Sequence, residues 1–270
     1  MSDIVLTAGV RSNLLQLQKT ADLITSTQTK LATGKRVNSA LDNPINYFTA
    51  QGLINRSNDL GNLLDSMSSG ISTIQAASNG ITSITKLVQS ALALVSQAQQ
   101  TTDTTVRASL ATQFASIQSQ IGTLAGDSGF NGINLLTGNN LSLVLNESGT
   151  SSVTITGVTF DANGLGINNA TNNWAGAADI AAAATDLNAA LTKLRTQSQS
   201  FGSNLSTVQI RQDFTKAMIN TLQTGADGLT LADSNEEGAN LLALQTRQQL
   251  STTALSLASQ ASQAVLRLFQ

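Results

Sequence analysis

Apolar residues recur along most of this chain at alternating spacings of three and four. This is the pattern of helices that pack side by side along a narrow seam. It predicts helices over residues 10–31, 60–98, 106–124, 180–222 and 250–268. The fourth of these is far longer than the average globular helix of about 11–12 residues, which favours an elongated coiled coil or bundle.

Residues 126–176 follow a different pattern and are rich in Gly, Asn, Ser and Thr. Apolar residues alternate at Leu141, Leu143 and Leu145, and again at Val153 and Ile155. This period of two predicts two short strands joined by a loop over 146–152. The predicted fold is therefore mainly α: an elongated antiparallel helical bundle or coiled coil of paired N- and C-terminal segments, with a small β-hairpin insert.

Local signals predict where several helices begin. Asn43 precedes Pro44, the chain's one proline, in the arrangement of a capping residue before a first helical position. Asp103 can cap the third helix, and residues 234–237 have capping-box spacing before the last helix. Asp233, Glu236 and Glu237 are interpreted as a helix N-terminus favoured by its dipole rather than as a carboxylate site.

Composition removes several classes of function. Charged residues make up 11% of the chain, against about 25% in a typical domain, and the net charge of −2 provides no basic surface for nucleic acid or an anionic membrane. The chain has neither Cys nor His, so the usual zinc ligands and the commonest general base are missing. We expect no enzyme activity, no cofactor and no metal.

The chain has no run of 18 apolar residues, so we expect no transmembrane helix. Residues 1–20 lack the basic start and apolar run of a secretory signal peptide. If the protein is extracellular, we expect it to leave the cell by another route.

The last predicted helix carries two apolar seams side by side. The second seam contains Leu244, Leu255, Val265 and Phe269. One partner helix cannot cover so wide a face, so burial on two sides is expected. Because isolated helices are only marginally stable, we expect both termini to complete their folding on assembly.

Three stretches of the chain resemble the bacterial flagellin family. LATGKRVNSALDNP at 31–44 resembles the family's N-terminal motif, and FNGINLL at 130–136 resembles the phrase that closes its N-terminal block. SLASQASQAVLRLFQ at 256–270 resembles its C-terminal block. The three stretches occur in the family's order, and the resemblance covers about 1–138 and 178–270.

The resemblance implies a structural subunit that polymerises with many copies of itself into an extracellular flagellar filament used for swimming. It implies export through the flagellar secretion apparatus without a cleaved signal peptide. It also implies an export chaperone, a cap protein and hook-associated proteins as partners. A hook–filament junction protein, or a secreted coiled-coil effector or adhesin, remains as an alternative.

In flagellins the paired termini form an inner core and the adjoining long helices form an outer core. By resemblance, residues 1–45 and 226–270 form the inner core, 46–130 and 177–225 form the outer core, and 131–176 form a short β-rich surface insert. The predicted inner-core assembly seam consists of Val10, Leu14, Leu17, Ala21, Ile24, Leu31, Leu250, Ala254, Leu257, Ala261, Leu268, Leu255, Val265 and Phe269. The predicted outer-core seam consists of Leu64, Met67, Ile71, Ile74, Ile81, Leu187, Leu191, Leu194, Phe201, Leu205, Val208, Ile219 and Leu222.

Overall fold

The computed structural model describes residues 8–268, including all of their side chains except those of residues 262 and 265–268. Its elements are α1 (Ala8–Thr33), α2 (Pro44–Gln100), α3 (Thr104–Asp127), β1 (Leu141–Val144), β2 (Ser152–Ile155), α4 (Ala162–Leu165), a 3-10 turn (Thr171–Trp174), α5 (Ala177–Thr230) and α6 (Ser234–Leu268). Each of the five seam patterns lies within a helix: α1, α2, α3, α5 or α6. The mainly α fold with one small hairpin is confirmed.

The described residues form two compact units. Unit 1 contains the described parts of 1–55 and 221–270, and unit 2 contains 56–220. The segments predicted to form the inner core belong to unit 1. Unit 2 holds the insert with most of the segments predicted to form the outer core. The boundaries drawn from the sequence at residues 45 and 226 stay a prediction.

In unit 1, α1 packs against α6. Lys30 near the end of α1 places its Nζ 2.9 Å from Oε1 of Glu237 near the start of α6, so the two helices run antiparallel. The inward row of α1 consists of the buried Thr20 and Thr27 and the half-buried Val10, Leu17, Ile24 and Leu31. The hydroxyl of Thr20 donates to the carbonyl of Gln16 at 2.8 Å, so this polar side chain lies inside without an unsatisfied donor.

In unit 2, side chains of α2, α3 and α5 join those of the insert in one buried cluster. Residues 194–199 of α5 line a groove with residues 81–89 of α2, while Nε2 of Gln212 donates to Oγ of Ser68 at 2.8 Å. Later residues of α5 thus meet earlier residues of α2, so the two helices run antiparallel. The largest fully buried side chains of this cluster are Met67, Ile74, Ile84, Phe114, Ile121, Leu135, Leu136, Ile155, Leu165, Trp174, Ile180 and Phe201.

The predicted hairpin is confirmed. Strands β1 and β2 pair antiparallel in a register that places Leu141 opposite Ile155 and Leu143 opposite Val153. Leu141, Leu143 and Ile155 are buried against the helices. The guanidinium of Arg56 on α2 hydrogen-bonds the carboxylate of Glu147 in the connecting loop. The pKa of Glu147 lies below its usual value because its own backbone N–H and Arg56 both favour the ionised form.

Gly80 of α2 lies where no side chain fits. A Cβ added there would come within 2.7 Å of Cδ1 of Leu136 and would also meet Ser128. We expect Gly80→Ala to lower the free energy of unfolding by about 1–3 kcal/mol through overpacking. Gly61→Ala in the same helix meets nothing within 4 Å, and we expect it to raise stability by roughly 0.5–1 kcal/mol. Urea unfolding of both variants checks this, and equal shifts would contradict it.

Candidate assembly surfaces

The segment that follows α1 is tied to the connection between α5 and α6. Gly34 adopts a φ of +68°, the left-handed conformation that ends a helix and that glycine adopts without strain. The backbone N–H of Arg36 donates to the carbonyl of Thr230 at 2.8 Å, and that of Ala232 donates to the carbonyl of Gly34 at 3.0 Å. The guanidinium of Arg36 also donates to the carbonyl of Gly228 at 2.8 Å. Gly34-Lys35-Arg36 is thus a structural turn.

The next turn is organised by one carboxylate. Oδ2 of Asp42 accepts hydrogen bonds from the backbone N–H groups of Asn38 and Ser39, both at 2.9 Å, and from the Ser39 hydroxyl at 3.2 Å. The N–H groups of Ser39 and Asn38 hold the pKa of Asp42 below its usual value, with a smaller contribution from the charge of Lys30. This turn leads directly into α2, which begins at Pro44.

The Asp42 turn predicts a pH dependence. A carboxylate whose pKa is lower in the folded state stabilises that state above its unfolded pKa, and this contribution disappears as the pH falls through the folded pKa. We therefore expect the turn to loosen only below about pH 4. Amide exchange of Asn38 and Ser39, followed by NMR between about pH 2 and pH 7, should show protection that is constant above about pH 4 and lost below it. Asp42→Ala should be unprotected at every pH, and protection that persists in this variant would contradict the assignment.

The motif at 130–136 closes α3. Its Asn131 and Gly132 have φ values of +48° and +79°, which allow a tight turn in which Phe130 and Ile133 exchange two backbone hydrogen bonds, at 2.9 and 3.0 Å. Nδ2 of Asn134 then donates to the carbonyls of Ala125 and Gly126 at 2.7 and 2.8 Å. These carbonyls are among those that the end of a helix leaves without an intrahelical partner.

The predicted outer-core seam is placed inside unit 2 along most of its length. Ile71, Leu205, Leu64 and Ile219 are half-buried. The remaining members are buried: Met67, Ile74, Ile81, Leu187, Leu191, Leu194, Phe201, Val208 and, in unit 1, Leu222.

The α1 part of the inner-core assembly seam is divided between two faces of the helix. Val10, Leu17, Ile24 and Leu31 are half-buried, whereas Leu14 and Ala21 are exposed, and the role of all six in assembly stays a prediction. Thr20 and Thr27 also occupy inward positions. A search for apolar residues at heptad spacing does not select threonine. A threonine can nevertheless be buried when its hydroxyl donates a hydrogen bond to a carbonyl of its own helix.

Helix α6 has one covered face and one open face. Leu244 and Leu255 of the second seam are half-buried, and Leu244 lies beside Thr27 of α1 in a groove between the helices. The first seam faces outward: Leu250 and Leu257 are 67% and 68% exposed, and Ala254 and Ala261 are exposed as well. The side chains of Val265 and Leu268, and the whole of Phe269, lie outside the described residues.

The start of α6 corrects one detail. The cap is Asp233, whose Oδ1 accepts from the N–H groups of Asn235 and Glu236 at 2.8 and 3.3 Å, and not the predicted Ser234. Asp103 caps α3 as predicted, accepting from Thr105 N–H at 2.8 Å.

Within 8–268, no group of three or more acidic side chains could hold a metal ion, and no helix has the length and apolarity to cross a membrane.

Two buried polar side chains, which hydrogen-bond carbonyl groups of distant segments, were not predicted from the sequence. Arg107, which is buried, donates through Nε to the carbonyl of Thr101 at 2.8 Å and through Nη1 to that of Ala175 at 3.0 Å. Gln118 donates to the carbonyls of Ile167 and Asn168 at 3.1 and 3.0 Å. These side chains fasten the residues after the hairpin to α3. Their carbonyl partners lie up to 68 residues away, so no local pattern marks them.

Taken together, these features define an α-helical protein whose terminal segments pair with each other and leave an apolar face open. The model of the bacterial flagellin N-terminal helical region matches residues 7–141, and that of the C-terminal helical region matches residues 178–269. The chain belongs to the bacterial flagellin family, which is a family of structural proteins whose members form the extracellular flagellar filament.

Individual relatives agree. The chain is 30% identical to flagellin FljM of Caulobacter vibrioides over 100% of this chain and 99% of the relative. It is 27% identical to a flagellin of Brucella melitensis over 100% of both chains. A crystal structure of Bacillus cereus flagellin has a TM-score of 0.48 and 22% identity, covering 57% of this chain and 88% of that one. The sequence matches carry the assignment and favour a filament subunit over a junction protein, effector or adhesin.

Proposed function

We propose that this chain polymerises with copies of itself through the apolar faces that unit 1 leaves open, and that it performs no catalysis. The observation that carries the proposal is the outward row of Leu250 and Leu257 on α6, both about two-thirds exposed. Large apolar side chains repeated along one helix face mark an interaction surface. In a family of filament subunits, the abundant partner is another copy.

Electron microscopy of the purified, dissociated chain tests this directly. The protein is viewed before and after seeding with filament fragments or addition of a precipitating salt. Long filaments of uniform diameter are the expected product. Persistent monomers or small rings under all of these conditions would contradict polymerisation and return the hook–filament junction protein to consideration.

The termini are proposed to complete their folding only in the polymer. In unit 1, α1 and α6 cover each other on one face only, and two helices with one seam gain little beyond the entropy lost on ordering. We expect amides of residues 5–30 to exchange rapidly in a verified monomer and to be at least 100-fold protected in filaments. Amides of α3 serve as the internal control, since they should be protected in both states. Strong protection of 5–30 in the monomer would contradict the proposal.

Export is proposed to follow the route of the family, through the flagellar secretion apparatus and without a cleaved signal peptide. The same proposal assigns the chain an export chaperone that covers the apolar face of α6 before assembly, a cap protein at the growing tip and hook-associated proteins at the base. Mass spectrometry of subunits from isolated filaments checks the first point: a peptide starting within the first two residues is expected. Subunits that all start further along would contradict it.

A further inference from the structure

We propose that Leu41, Ile45 and Phe48, together termed the apolar knob, dock on the outward leucine row of α6 in a neighbouring copy of the chain. The outward leucine row is Leu250, Ala254 and Leu257. This contact rests on the polymerisation proposed above and assigns one of its surfaces.

The apolar knob is held outward by the fold. Leu41, Ile45 and Phe48 are 96%, 77% and 64% exposed. Ile45 and Phe48 are three residues apart in α2 and so share a face, while Leu41 lies in the turn that Asp42 organises. The N–H of Leu41 itself approaches Oγ of Ser39 at 3.3 Å. These hydrogen bonds fix the backbone around Leu41. The side chain of Leu41 is therefore exposed in the folded unit 1 and not only in an unfolded chain.

The outward leucine row has the form of a receiving site. Leu250, Ala254 and Leu257 are separated by four and three residues, so they lie on one face of α6. The small side chain of Ala254 lies between two leucines, and this alternation of large and small residues is suited to receiving a side chain from another helix in knobs-into-holes packing. Thr253 and Ala261 border it and are also exposed.

Charge does not oppose the contact. Residues 43–55, which include two members of the apolar knob, contain no charged side chain, and neither do residues 248–261 of α6. Burying the leucine row, Ile45 and Phe48 therefore removes none of these segments' side-chain charges from water, and the exposed Asp42 beside Leu41 is the one charged side chain adjoining the apolar knob in sequence. Because no ion pair joins the two surfaces, screening by salt should not weaken the contact.

The pairing of two unlike surfaces fits an open polymer. If one leucine row met another leucine row, the contact would be symmetric and would close as a pair. When the apolar knob of one copy meets the leucine row of the next, each copy keeps one free knob and one free row. Such head-to-tail contacts extend without limit when the rotation between copies does not close a ring, which is the geometry that a filament requires.

Disulfide cross-linking tests the contact, since the chain has no cysteine of its own. Leu41→Cys and a ¹⁵N-labelled Leu257→Cys are mixed in equal amounts, assembled into filaments and treated with a mild oxidant. We expect a dimer that joins one labelled and one unlabelled chain through positions 41 and 257, formed in filaments and not in monomers. Ile210→Cys of unit 2, whose native side chain is 66% exposed, replaces Leu41→Cys as the control and should give no link to position 257.

Filaments that form normally with no link between 41 and 257, or with links only between like positions, would overturn the contact. As a second measurement, Leu41→Ser should raise the critical concentration for filament growth at least tenfold, and Leu41→Met, which keeps an apolar side chain, should leave it within twofold. An unchanged critical concentration for Leu41→Ser would also overturn it. If the unaltered chain does not polymerise, polymerisation itself fails and this contact falls with it.

Discussion

Replacing both Leu250 and Leu257 by serine will prevent filament growth at concentrations where the unaltered chain polymerises. Each side chain is about two-thirds exposed in the single chain, and full burial of a leucine contributes roughly 1.5–3 kcal/mol. The loss of two such contributions corresponds to a rise in critical concentration of roughly 100-fold or more, since about 1.4 kcal/mol is a factor of ten. Sedimentation of polymer from monomer across a dilution series measures it.

The matched control for this variant is Gln249→Ser with Gln260→Ser, two exposed polar positions on the same helix. It introduces the same two serines without removing apolar surface, so its critical concentration should stay within about threefold. Circular dichroism should show both double variants to be folded, because unit 2 is untouched. Growth of the leucine variant at the concentration of the unaltered chain would mean that this face is not an assembly surface.

Phe114→Ala will strongly destabilise unit 2. Phe114 is fully buried, and its ring centroid lies 5.0 Å from that of Trp174 at a tilted angle of 53°. Truncation of a buried phenylalanine removes its burial and leaves a cavity, at a cost of about 3–5 kcal/mol. Trp174 is the chain's one tryptophan, so urea unfolding followed by its fluorescence reports on this part of the core.

Val106→Ala serves as the comparison, since Val106 lies on the same helix but is 41% exposed. It should cost less than about 1 kcal/mol. Circular dichroism at 222 nm provides a second probe that does not depend on the altered surroundings of Trp174. A loss below about 1 kcal/mol for Phe114→Ala by both probes would show that the Phe114–Trp174 contact does not support the core.

The helices could be predicted from the sequence because their apolar spacing repeats over long stretches, and a few missed positions do not hide the pattern. The starts at Pro44 and after Asp103 were equally readable, because capping depends on residues adjacent in the chain. The hairpin followed from the alternation at Leu141–Leu145. The helices, their caps and the hairpin all depend on residues that are close together in the chain, which is why they could be predicted from the sequence.

Other features depend on contacts that sequence spacing does not contain. Thr20 and Thr27 are buried while Leu14 and Ala21 are exposed, because the orientation of α1 is set by how it packs against α6. At the start of α6 the capping-box spacing predicted Ser234 as the cap, but Asp233 is the cap and accepts from the backbone N–H groups of Asn235 and Glu236. Arg107 finds its carbonyl acceptors just after α2 and before α5, a placement that only the folded chain reveals.

Many hydroxyl groups on these helices are satisfied within their own helix. The side chains of Thr20, Thr73, Thr215 and Thr230 are buried and donate to the carbonyl four residues earlier, and exposed threonines such as Thr25 do the same. Such a donor keeps its partner when the surrounding water is removed, so no hydrogen bond is left unmade. A helix face of this kind can be buried, inside the chain or against another copy, without leaving its hydroxyl donors unpaired.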